Sequence, residues 1–153
     1  MLDVRVRFPS KEWFESLRDL MNSDAERYRH LGYVDARVAL LIAADEGLEA
    51  PAVYGITFEA FRCMDVRELS DPREIDPEFV MEAPYGVWKE MIENIRANGR
   101  ADLTHTLNYL SLPNIPMRVW SDDPLGRDKF FRYNQSLQEF FDDASRFSTE
   151  FVA

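Results

Sequence analysis

The spacing of apolar residues changes along this chain from helical to extended and back to helical, which restricts it to a mixed α and β fold. In residues 11–22, apolar side chains recur every three or four positions, as in a helix capped by Ser10. Residues 34–44 are apolar almost throughout, which predicts a central strand. Residues 53–69 exceed the length of an ordinary strand, so we expect two strands or one bent ribbon there.

Three shorter patterns in the first half make local predictions. Residues 2–8 alternate apolar and charged side chains, which predicts a short strand or extended arm that Pro9 ends. Ser23 and Glu26 have the spacing of a capping box, so a second short helix is expected after them. Within the extended ribbon, Met64 is expected to continue the inward face.

The second half of the sequence returns to helical spacing, with short extended segments between the helices. Residues 79–81 predict a short strand, residues 84–97 a helix, and residues 115–120 an edge strand. The leucines of residues 103–110 predict another helix. The last helix is expected to begin after Asp123, because apolar residues then recur at steps of three or four as far as Phe151.

The order of these segments predicts the fold class. Several strands joined by hairpin-type links, with helices before and after them, are typical of an α+β protein. We expect a single domain over residues 1–153, with about five strands in a mainly antiparallel sheet and helices covering one face.

Composition and charge restrict the classes of binding partner and the cellular location expected for this chain. A formal net charge of −10 disfavours nucleic acid and stable insertion into anionic membranes. No apolar stretch approaches the ~18 residues of a spanning helix, and the charged first residues do not read as a signal peptide. The sequence has one cysteine, Cys63, so no internal disulfide is expected and a cytoplasmic location is favoured.

No group of residues has the pattern of a catalytic or metal site. The glycines are scattered, no serine stands in a nucleophile elbow, and His30 and His105 lie far apart. Cys63 stands in a strand pattern and is expected in the core. Asp142 and Asp143 are expected on the solvated side of a helix end. The sequence therefore predicts no catalytic residue, no metal and no cofactor.

What remains is an excess of large apolar side chains. Eleven phenylalanines are present, and residues 84–97 and the last helix both offer wide aromatic and methionine-rich faces. At each of these positions, packing in the hydrophobic core is the favoured explanation. The alternative is that some of them line a cavity, for which the flexible methionine side chain is well suited.

Four segments of the chain resemble the sterol carrier protein type 2 domain family. The family's opening helix is similar to FPSKEWFESLRDLMNSD, and its first hairpin to VDARVALLIAADEG followed by VYGITFEAF. Its strand-then-helix element resembles FVMEAPYGVWKEMIENI, and its closing helix FRYNQSLQEFFDDAS. The chain departs from the family pattern at residues 59–62, which contain no glycine, and at residues 112–114.

The resemblance implies a five-stranded sheet with helices on one side and an apolar tunnel between them. It implies non-catalytic binding or carrying of a sterol, fatty acid, fatty acyl-CoA or similar molecule. Two alternatives stay open: a non-catalytic accessory subunit that presents or shields a hydrophobic substrate for a separate enzyme, and a small enzyme acting on such a substrate. The sequence also leaves open whether the chain forms a homodimer. The residues expected to line the cavity are Trp88, Met91, Ile92, Leu107, Leu110, Met117, Phe130, Tyr133, Leu137 and Phe140.

Overall fold

Seven strands and five α-helices form the part of the chain that the computed structural model describes, residues 5–45 and 47–152. The strands are β1 (Arg5–Phe8), β2 (Ala36–Ala43), β3 (Ala52–Glu59), β4 (Arg62–Leu69), β5 (Phe79–Pro84), β6 (Arg118–Trp120) and β7 (Ser148–Phe151). The helices are α1 (Lys11–Asn22), α2 (Ala25–Leu31), α3 (Tyr85–Asn98), α4 (Leu107–Leu110) and α5 (Pro124–Asp142). Two 3₁₀ turns cover Pro72–Ile75 and Asp143–Arg146.

β2 is the central strand of a five-stranded sheet with the order β4-β3-β2-β5-β6. It pairs antiparallel with β3 and parallel with β5, and each edge strand is antiparallel to its neighbour. The predicted α+β class, with a mainly antiparallel sheet of five strands, is therefore confirmed. The predicted ribbon of residues 53–69 is two strands, β3 and β4.

The main core lies between one face of this sheet and the helices. α1 begins as predicted, because the Ser10 side chain accepts a hydrogen bond from the Trp13 amide at 3.0 Å. α1 and α5 then lay aromatic rings on the sheet, with centroid distances of 4.8, 5.1 and 5.7 Å. These three ring pairs are Phe14 with Tyr54, Phe140 with Phe58, and Phe130 with Phe79.

The prediction that the last helix continues to Phe151 is wrong. α5 ends at Asp142, a 3₁₀ turn follows, and β7 then pairs parallel with β1 in a separate two-stranded sheet. Phe147 and Phe151 are four residues apart, and this spacing puts two side chains on one face of either a helix or a strand. Here they flank the Trp13 and Phe8 rings, at 5.9 and 6.3 Å respectively.

The predicted inward position of Met64 is also wrong, because β4 contains an extra residue. Thr57 of β3 pairs with Asp65. The next residue of β3, Phe58, pairs with Cys63, so Met64 is left out of the register. A bulge of this kind shifts the pleat by one residue, and Met64 is accordingly 52% exposed while Cys63 is buried.

The capping box predicted at Ser23 and Glu26 does not form. Ser23 ends α1, its hydroxyl donates to the Leu20 carbonyl, and Asp24 occupies the cap position of α2 without a side-chain hydrogen bond. A capping box forms instead at Asp71, in the first 3₁₀ turn. The short second helix itself is present as predicted.

The helix predicted over residues 103–110 is a single turn. Thr106 caps α4 with its side chain, and Leu103 before it is 86% exposed. Asp102 accepts a hydrogen bond from the Thr104 amide at 3.1 Å, a local turn that competes with helix formation. The leucine spacing therefore marks one helical turn preceded by a loop.

The two departures from the family pattern are tight turns in the structure. The β3–β4 turn places Ala60 at φ 57°, a conformation that usually favours glycine. Asn114 has φ 68°, which asparagine tolerates better than most residues. The predicted strand of residues 2–8 is present as β1 from Arg5, and residues 2–4 lie outside the described residues.

Candidate functional site

The ten residues predicted to line a cavity come together in one apolar cluster. Nine of them are buried, and the tenth, Tyr133, is partly buried against the same cluster. α3 supplies three, the segment from α4 to the start of β6 supplies three, and α5 supplies four. In the structure these side chains belong to the core, and their role as a ligand wall remains a prediction.

Trp88 has a fixed orientation at the centre of this cluster. Its indole Nε1 donates to the carbonyl of Ala83 at 3.0 Å, and its ring lies 5.9 Å from that of Phe141. The hydrogen bond satisfies the polar edge of the indole inside the core. The rest of the ring is therefore available as an apolar surface between β5 and α5.

A cleft of about 550 Å³ lies beside the cluster, between residues 98–106 and the C-terminal half of α5. Its volume falls within the range of small-molecule sites. Two of its lining residues, Thr106 and Gln138, directly adjoin the predicted cavity residues Leu107 and Leu137 in sequence. Its lining is Asn98, Arg100, Ala101, Asp102, Leu103, Thr106, Gln138, Glu139 and Asp142.

The wall of this cleft contains a hydrogen-bond relay that the sequence analysis missed. The Leu107 amide donates to Gln138 Oε1 at 2.7 Å, and Gln138 Nε2 donates to Asp142 Oδ1 at 2.9 Å. The Ala101 amide donates to the same Asp142 oxygen at 3.1 Å. Burial raises the pKa of Asp142, and these hydrogen bonds oppose that rise.

The expectation that Asp143 is solvated is wrong, because its side chain is 2% exposed. Nη2 of Arg27 lies 2.7 Å from Asp143 Oδ2, and the Tyr28 hydroxyl donates to the same oxygen at 3.0 Å. Burial raises the pKa of Tyr28, which therefore remains a hydrogen-bond donor. The helical spacing of Ser136 and Phe140 could have placed Asp143 on the buried side.

The two histidines and the cysteine lie in different surroundings. His30 is exposed on α2, while Nδ1 of His105 lies 2.6 Å from Asp102 Oδ1. Burial raises the pKa of the Cys63 thiol to about 12, so it is protonated at neutral pH, in the core as predicted. Among residues 5–45 and 47–152, no cluster of His, Cys, Asp and Glu side chains is arranged to bind a metal.

The helices considered for membrane spanning are those of residues 5–45 and 47–152. None of their helices combines the length and the apolar character needed to cross a bilayer.

Comparison by structure identifies the fold. At the level of sequence, no family model and no curated protein matches the chain. A crystal structure of sterol carrier protein 2 matches it with a TM-score of 0.66, at 17% identity, over 91% of this chain and 98% of the other. The solution structure of a conserved hypothetical protein from Thermus thermophilus, suggested to be a sterol carrier protein, matches with the same TM-score and identity. That match covers 92% of this chain and 90% of the other.

These structural matches define the fold of the chain. The chain has the α+β architecture of sterol carrier protein 2, as the resemblance of its four segments implied.

Proposed function

We propose that this protein binds or carries an apolar small molecule, such as a sterol, a fatty acid or a fatty acyl-CoA, inside the layer between its sheet and its helices. The observation that carries the proposal is that all ten predicted wall residues converge on one cluster within a sterol carrier protein 2 fold. The proposal assigns the protein no catalytic residue and no cofactor.

The chemistry of this layer suits a lipid-like ligand. Aromatic and aliphatic side chains form the cluster, and Met91 and Met117 contribute flexible groups that repack at low cost. Burying the roughly 16 methylene groups of a stearoyl chain at about 0.8 kcal/mol each supplies about 13 kcal/mol. After an association cost of about 5 kcal/mol, about 8 kcal/mol remains, which corresponds to a dissociation constant of about 1 μM.

The ligand enters the closed core by separating side chains that contact one another in this structure. Tyr133 is the one polar member of the proposed wall, and it is only partly buried. Its hydroxyl is suited to hydrogen bonding with the polar head of an amphiphile.

We place the protein in the cytoplasm, since its one cysteine, Cys63, is a free and buried thiol.

Native mass spectrometry of the purified protein tests the proposal. One co-purified lipid per chain would support it, and extraction followed by readdition should restore the same mass. A stoichiometric protein partner without lipid would favour an accessory subunit instead. A ligand-free chain that takes up none of the three ligand classes would contradict the proposal.

A further inference from the structure

The segment of residues 99–112, named here the strap, covers the seam between α3 and α5. It begins at Gly99, which ends α3, and it inserts the buried side chains of Leu107 and Leu110 into the core. Both leucines belong to the proposed ligand wall. The 550 Å³ cleft opens along the edge where the strap meets α5.

Side-chain hydrogen bonds attach the strap to α5. Gln138 accepts from the Leu107 amide, Asp142 accepts from the Ala101 amide, and Gln138 links the two acceptors by donating to Asp142. Residues 99–112 are all described by the structure. They contain one helical turn, α4, and no strand. Attachment of this kind depends on a few contacts, so the strap can separate from α5 while the sheet stays intact.

The first turn of the strap is held to α3 by a second set of contacts. Asn94 and Asp102 exchange two hydrogen bonds of 2.8 Å, and His105 bridges Asp102 and Glu90. These contacts hold the N-terminal part of the strap against α3. On the side that faces α5, where the cleft lies, the strap is held by the side chains of Gln138 and Asp142 and by a 3.3 Å hydrogen bond from Asn134 to Asn108.

We propose that this cleft is the entrance to the ligand site, and that Gln138 and Asp142 form the latch that holds the strap closed. The proposal rests on the proposed function, since it gives the route by which an apolar ligand reaches the core. Gln138 is the central member because it contacts both the strap and the other latch residue. Opening between the strap and α5 parts two elements that together supply six of the ten proposed wall residues, Leu107, Leu110, Phe130, Tyr133, Leu137 and Phe140.

Replacement of the latch should change the rates of ligand exchange and leave the affinity nearly constant. A latch that closes the free and the loaded protein alike slows ligand entrance and release by the same factor. In Q138A we expect association and dissociation of an anthroyloxy-labelled stearate to rise together by about fivefold, as for the loss of one hydrogen bond. The control is Q135A, an exposed residue earlier on the same helix. Stopped-flow fluorescence measures both rates.

Amide hydrogen exchange provides a readout that needs no ligand. The Leu107 amide should exchange faster in Q138A than in Q135A, and the Ala101 amide should do so in D142A. A faster Leu107 exchange with unchanged stearate rates would overturn the entrance while leaving the proposed function intact. A change in dissociation alone would make Gln138 a wall residue and would also overturn the latch. If the unaltered protein binds no stearate, no sterol and no fatty acyl-CoA, the proposed function fails and the entrance fails with it.

Discussion

Arg27 in α2 and Asp143 after α5 form an ion pair, with Nη2 of Arg27 2.7 Å from Oδ2 and 2.9 Å from Oδ1. The carboxylate is 2% exposed, whereas one third of the Arg27 side chain reaches solvent. The pair therefore joins an N-terminal helix to the C-terminal part of the chain around a buried charge.

The first prediction concerns this pair. R27A leaves the Asp143 carboxylate buried without its closest cation, and breaking a buried pair costs about 3–5 kcal/mol. Because Arg27 is partly solvated, we expect a smaller loss of about 2–3 kcal/mol in the free energy of unfolding. R29A, which removes an exposed arginine of the same helix, is the control and should stay within about 0.5 kcal/mol. Urea titration measures both, and equal effects would contradict the assignment.

The second prediction concerns the contact between α5 and the residue before β5. A Cβ added at Gly126 would lie 2.0 Å from the Glu78 carbonyl oxygen, so the helix could not keep its position. We expect G126A to cost about 3 kcal/mol or more. At Gly86 the nearest atom, 2.8 Å away, is Asp45 Oδ2, and moving this side-chain oxygen weakens only its hydrogen bond from the Gly86 amide, so G86A should cost less. Equal melting temperatures for the two variants would contradict this account.

The third prediction concerns pH. The hydrogen bond to Asp102 raises the pKa of His105, and the same hydrogen bond lowers the pKa of Asp102 to about 2. The raised pKa stabilises the fold fully below about pH 6.5, and this contribution is lost as the pH rises through the His105 pKa. The lowered pKa stabilises it above about pH 4, and this contribution is lost as the pH falls towards 2.

The difference in melting temperature between the unaltered protein and H105Q should therefore be largest near pH 5, at about 1–3 °C. It should shrink by pH 9. H30Q, which replaces the exposed histidine of α2, is the matched control. A difference that grows between pH 7 and pH 9 would have the wrong sign for this pair.

The fourth prediction concerns β7. The Trp13 indole Nε1 donates to the Thr149 hydroxyl at 3.0 Å, and Trp13 is fully buried. T149V keeps the size and the strand propensity of the side chain but removes the acceptor, so it should cost about 1–3 kcal/mol. T149S keeps the acceptor and should cost less. If the serine and valine variants are equally stable, the hydrogen bond contributes nothing.

Local side-chain patterns were sufficient to predict much of this fold. The apolar patterns of α1, α3 and β2 reflect the burial of these elements in the core, which a sequence displays directly. The pairing of β7 with β1 depends on residues at opposite ends of the chain, and the spacing of Phe147 and Phe151 fits helix and strand equally well. The bulge at Met64 likewise depends on the register of a partner strand.

The candidate site was predictable in part for the same reason. The burial of Trp88 and Phe140 was predictable because they stand on helices whose buried faces are visible as a pattern, and their role in ligand binding stays a prediction. The hydrogen bonds of Gln138 and Asp142 were not predictable, since they are made with backbone amides that a distant loop brings to α5. The buried Asp143 was missed because composition assigns a carboxylate near a helix end to solvent.

The most direct test of the central claim is an equilibrium titration of the delipidated protein. Anthroyloxy-labelled stearate and dehydroergosterol, a fluorescent sterol, are added separately and displaced with their unlabelled counterparts. We predict saturable binding of one molecule per chain for at least one probe, with a dissociation constant in the micromolar range or below. A fluorescence change that rises without saturation for both probes, and that unlabelled lipid does not reverse, would contradict the account.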